Sequence, residues 1–73
     1  MTNRDRIENI LKKIGISVVN DKYDIDSLKR ITLWYELERE FDIIIDDEDF
    51  WKTQEDTTSC LVELVEKYIN YDS

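Results

Sequence analysis

No proline and only one glycine, Gly15, interrupt the 73 residues of this chain. The backbone therefore has almost none of the residues that punctuate helices and shape tight loops. Apolar spacing agrees with that freedom. Ile7, Ile10, Leu11 and Ile14 fall at i, i+3, i+4 and i+7, the pattern of one helix face. Leu61, Leu64, Val65, Tyr68 and Ile69 repeat it near the end of the chain. The expectation is an all-α fold, a small four-helix bundle with three main helices and one short one.

The bundle has to hold itself together by packing alone. At this length a single domain spanning 1–73 is expected, burying only about 60% of the surface its unfolded chain exposes. Cys60 is the only cysteine, so no internal disulfide is available. The absence of histidine excludes the Cys/His metal sites that staple many mini-domains. The sequence has no 18-residue apolar run, and "MTNRDRIENI" lacks the apolar stretch of a signal peptide. A cytoplasmic location without membrane insertion is the expectation.

Local signals place the elements. Thr2 and Asp5 form a potential capping box, and Gly15 suits the left-handed residue that ends a helix, so the first helix spans about residues 3–14. Residues 16–26 have no helical period. Ile16, Val18 and Val19 can cover the core there, and Asn20, Asp21 and Asp24 mark turns; a short strand would lack an obvious partner. A second helix is expected over Ser27–Phe41. Leu28, Ile31, Leu33, Trp34, Tyr35, Leu37 and Phe41 cover more than half its circumference, which marks it as the central helix. Its remaining stripe is Lys29, Thr32, Glu36, Arg39 and Glu40. Ile43–Ile45 reads as a buried connector to a short helix near 47–52, and "DTTS" supplies caps for a helix over 58–70.

Several functions are excluded. Eighteen acidic residues against ten basic ones give a net charge of −8, which opposes nucleic-acid binding. The same charge suits either recognition of basic partner surfaces or simple solubility. Without histidine there is no Ser/His or Cys/His nucleophile pair, and Cys60 has no evident activating base, so no catalytic residue is assigned. The acidic run "DDEDFWKTQED" has no register that supplies the oxygen ligands and glycine of an EF-hand; it reads as a solvated helix start, and no metal site is assigned.

Ser27 admits two readings. Asp and Ser both accept hydrogen bonds from free N–H groups at helix starts, and "DSL" alone favours simple capping. The wider stretch "DSLKRITLWYELEREFDIII" resembles the acyl carrier and peptidyl carrier protein family. Asp26, Ser27, Leu28, Ile31, Leu33, Leu37, Glu38, Phe41 and Asp42 fall into that family's signature without a gap. The resemblance implies an acyl-carrier-type bundle with 4′-phosphopantetheine on Ser27, transferred from coenzyme A by a phosphopantetheinyl transferase. It implies that Leu28 turns inward as an anchor and that Asp26 helps the transferase position its metal and coenzyme. It also implies a protein that is not an enzyme, working as a monomer with an adenylating or acyl-loading enzyme and downstream thioester-using enzymes. Asp24 stands where the family usually has glycine, and Lys29 and Arg30 replace its usual acidic residues. The segment around Trp51 and Thr53 is similar to D-alanyl carrier proteins.

Partners are expected on Leu28, Lys29, Thr32, Glu36 and Arg39, with Glu38 and Glu40 nearby. Trp34, Tyr35, Phe41, Phe50 and Trp51 would fill a bundle rigidly, which favours an aminoacyl or short acyl cargo held outside it. The alternative is a small acidic helical interaction module without a prosthetic group, working as bacterial nuclease-immunity proteins do. A degenerate carrier kept as an adaptor is a third option, against which the intact D-S-L speaks.

Overall fold

The computed structural model describes residues 1–52 and 55–71. Thr53, part of the similarity to D-alanyl carriers, lies outside them. Four helices follow in order: α1 Asn3–Lys13, α2 Ser27–Phe41, α3 Asp47–Trp51 and α4 Thr58–Tyr71. The chain forms a small helical bundle in which α1, α2 and α4 pack on one another. Among the described residues, no helix is long and apolar enough to cross a membrane.

Both ends of α1 follow from the sequence. Thr2 Oγ1 accepts from the Asp5 N–H and Asp5 Oδ2 accepts from the Thr2 N–H, which closes the capping box. At the other end Gly15 takes φ +86°, and the Ile16 N–H reaches back to the Leu11 carbonyl at 2.8 Å while the Gly15 N–H reaches Lys12. That is the Schellman pattern, and Ile16 and Leu11 are both buried in the same hydrophobic core.

The loop before α2 does find partners, contrary to the expectation from its sequence. Val19 and Lys22 exchange both backbone hydrogen bonds around Asn20 and Asp21, which have φ of 52° and 71°. Two consecutive positive-φ residues make a two-residue turn of the I′ kind, and Asn and Asp tolerate it better than other L-residues. Lys22 then pairs with Thr57, so the loop is tied to the segment entering α4 by isolated bridges rather than a strand. Asp21 also closes the start of α4: its carbonyl accepts from the Thr58 N–H and its carboxylate from the Ser59 N–H.

The connector Ile43–Ile45 is buried only in part, which corrects its sequence reading. Ile45 lies in the core, whereas Ile44 is 86% exposed. Glu38 fixes this alternation by accepting from the Ile45 N–H at 2.8 Å. The short α3 is then held against α4 by Tyr68, whose hydroxyl accepts from the Asp46 N–H and donates to Asp49.

Two expected results arise from this packing. Thr58 is 0% exposed, and its Oγ1 has no hydrogen-bond partner among the described residues. Thr58→Val keeps the shape and removes a buried hydroxyl, so it should raise stability by about 1 kcal/mol in a denaturant titration. Acid should act in the opposite direction. Bonds from Ser59 and Arg4 hold the Asp21 carboxyl below the ordinary aspartate range, and bonds from Tyr68 and Lys67 do the same for Asp49. A folded-state value below the unfolded one gives stability that is present above the unfolded value and is lost as pH falls through the folded one. Melting temperature should therefore decline from about pH 5 downward.

Candidate functional site at the start of the second helix

The residue that caps α2 is Asp26. Its backbone is extended, and Oδ1 accepts from the Lys29 N–H at 2.8 Å. The Asp26 carbonyl accepts the first helical bond from the Arg30 N–H. Ser27 is consequently the first helical residue. It is exposed, and its hydroxyl has no hydrogen-bond partner among the described residues.

Leu28 does not turn inward; this corrects the expectation of an anchor, because it is 78% exposed. Nine positions at about 100° each put it on the opposite side of the helix from Leu37, which is fully buried with Leu33 and Phe41 nearby on the inner face. The half-buried Ile25 secures this end instead, just ahead of the cap, and Arg30 helps by donating to Asp56 Oδ1 at 2.7 Å.

Ile31 and Tyr35 share the outer face with Leu28 and are 53% and 62% exposed. Both belong to the wide apolar arc that marks α2 as a helix in contact with several others, and that arc is covered on one side alone. The signal for that was present: Leu33, Leu37 and Phe41 form one line at i, i+4 and i+8, while Leu28, Ile31 and Tyr35 form a second at i, i+3 and i+7. One helix cannot bury both lines in a bundle that packs on a single side of it. Thr32 and Arg39 flank the outer line and are exposed; Thr32 donates to the Leu28 carbonyl.

The other expected partner residues divide. Lys29 is exposed and its ammonium lies beside the end of α1, where a Cβ on Gly15 would come within 3.2 Å of Nζ. It complements the partial negative charge of that helix terminus. Glu36 is half-buried and pairs with Lys13 at 3.2 Å, and Glu40 pairs with Arg6 at 2.9 Å, so both face α1. Glu38 is committed to Ile45. The structure thus brings Ser27, Leu28, Thr32 and Arg39 to one open surface with Ile31 and Tyr35. Lys29 stands at its edge, and Glu36 is taken away from it.

Away from this surface the chemistry is sparse. Cys60 is half-buried near the start of α4. Among the described residues, no three Cys, Asp or Glu side chains are grouped so as to hold a metal ion. Comparison of the chain with protein-family models, curated proteins and solved structures returned no match.

Proposed function

We propose that this chain is a carrier protein, with 4′-phosphopantetheine attached through the Ser27 hydroxyl. One observation carries the reading: Asp26 caps the helix, so the bland role for Ser27 is already taken, and its hydroxyl stands exposed with no hydrogen-bond partner among the described residues. A phosphodiester there would meet the N-terminal end of a 15-residue helix, where free N–H groups and the dipole favour an anion. When bound, the group supplies a terminal thiol that holds a cargo as a thioester. Asp26, exposed beside the serine, is available to the phosphopantetheinyl transferase.

Loading and downstream enzymes would dock on the outer face of α2. Leu28, Ile31 and Tyr35 supply its apolar centre, and Lys29, Thr32 and Arg39 supply its polar edge. Such a centre with a polar rim is the usual anatomy of a recognition surface. An aminoacyl or short acyl cargo is favoured because the space under α2 is filled by aromatic packing: Trp34 stacks on Phe50 with ring centroids 5.1 Å apart.

Incubation with coenzyme A and a broad-specificity transferase, followed by intact-mass analysis, tests the attachment. A single pantetheine increment is expected. The exposed apolar face also suits the second reading, a small acidic interaction module, and an unmodified mass under these conditions would favour that one. Substitution of Ile31 or Tyr35 by Ser is expected to slow loading by the cognate enzyme at least tenfold, corresponding to about 1.4 kcal/mol or more. Circular dichroism and melting temperature should hardly change, since both residues are already exposed.

A further inference from the structure

Beside the start of α2 lies a cleft of about 660 Å³ that the attachment chemistry does not use. Val19, Lys22 and Tyr23 of the loop form one wall, and Asp56 and Thr57 form the other. This volume is within the range of small-molecule sites. The walls cannot drift apart easily, because Lys22 pairs with Thr57 and the Tyr23 N–H donates to the Asp56 carbonyl at 3.0 Å.

Tyr23 sets the character of the cleft. It is 7% exposed, yet its hydroxyl has no hydrogen-bond partner among the described residues. Among the described residues, the unpaired side-chain polar atoms fully sealed from solvent are Trp34 Nε1 and Thr58 Oγ1, and the Tyr23 hydroxyl is not one of them. Tyr23 lines the cleft, and Asp56 of the facing wall is close enough to the phenol to act on it electrostatically. Burial and the neighbouring Asp56 carboxylate push the phenol well above its ordinary range, so it stays protonated and remains a donor. Val19, 67% exposed at the same wall, adds an apolar surface that nothing in the bundle covers.

Position connects the cleft to Ser27. Asp24 also lines it, and three residues of chain span at most about 11 Å. Arg30, one helical turn on from Ser27, donates to Asp56 on the far wall at 2.7 Å. Ser27 and Arg30 lie about 60° apart around α2, so a flexible chain that starts at the Ser27 oxygen begins near the side of the helix that faces Asp56.

We propose that the cleft between residues 19–23 and 56–57 is the resting site of the pantetheine arm. The Tyr23 hydroxyl donates to an amide carbonyl of the arm, and Val19 packs against its methyl groups. This rests on the attachment at Ser27. The arm suits the site because, beyond its phosphate, it is an uncharged chain of amides, methyls and methylenes. Such a chain needs a donor and an apolar wall together, and a purely hydrocarbon chain would leave the donor unpaired.

The test is isotope-edited NMR of ¹³C,¹⁵N-labelled protein, before and after modification with coenzyme A and a transferase. Contacts between the arm methyls and Val19 or the Tyr23 ring are expected, with amide shifts at Lys22 and Thr57. In modified Tyr23→Phe protein these contacts should weaken severalfold, while the rest of the spectrum keeps its dispersion. A protein that gains the mass increment but shows arm contacts only elsewhere, or none, overturns the resting site and leaves the Ser27 attachment standing. A protein that never gains the increment removes the attachment itself, and with it the occupant proposed here.

Discussion

In the Ser27→Ala variant the pantetheine mass increment is expected to vanish, while the melting temperature stays within about 2 °C of the parent's. The second half of this result separates a handle from a cap. Asp26 Oδ1 already receives the Lys29 N–H, and the Ser27 hydroxyl makes no hydrogen bond among the described residues. Asp26→Ala is expected to cost about 1 kcal/mol, the ordinary loss for an N-cap. In a domain of this size that is a fall of about 4–8 °C. If the larger destabilisation came from Ser27→Ala, the serine would be structural and the bland reading would stand. An increment that persisted in Ser27→Ala would move the attachment elsewhere. Ser59 is poorly placed to receive it, because its hydroxyl accepts from Arg4 at 2.8 Å. Ser17 is exposed but lies in the loop, away from any helix start.

Periodicity made the helices legible, and it failed where one helix carried two apolar lines. In α1, Ile7, Ile10 and Leu11 are the only apolar residues available for one face besides Ile14, so period and burial agree. In α2 the surplus of apolar residues looked like a deeper core. The bundle covers only the line of Leu33 and Leu37, and the line of Leu28, Ile31 and Tyr35 stays outside. Sequence counts hydrophobic residues, but burial depends on how many neighbours a helix has. The role of Ser27 was ambiguous for a different reason. Asp26 and Ser27 are both good caps, and only the backbone decides which one stands at the extended position: Asp26 has ψ 174° and Ser27 begins the helix. The loop pairing was illegible because Lys22 meets Thr57, 35 positions away, and no local pattern announces such a contact.

Phe50→Ala is expected to cost about 3–5 kcal/mol and to be the most damaging of the substitutions considered. The whole stability of a 73-residue domain is roughly 4–11 kcal/mol. A loss of this size therefore takes most of the margin. Phe50 is the buried residue of α3, a helix of five residues that cannot form by itself. Its ring lies nearly parallel to Trp34, with an interplanar angle of 16°, and meets the edge of Trp51 at 5.5 Å. Removing it leaves a void beneath α2 and strips α3 of its apolar anchor, with the polar bonds of Tyr68 and Lys67 left to hold it. Those bonds are partly solvated, and each contributes far less than the lost ring. Trp51→Ala, one residue along, is the internal control. That side chain is half exposed, so its loss should cost about 1 kcal/mol or less. Denaturant midpoints for the two variants decide the matter, with near-UV circular dichroism reporting on the stacked Trp34 ring. A Phe50→Ala protein that unfolded at nearly the parent's midpoint would mean that α3 does not pack on α2 as described. The rigid aromatic floor that favours a short cargo would then be gone as well.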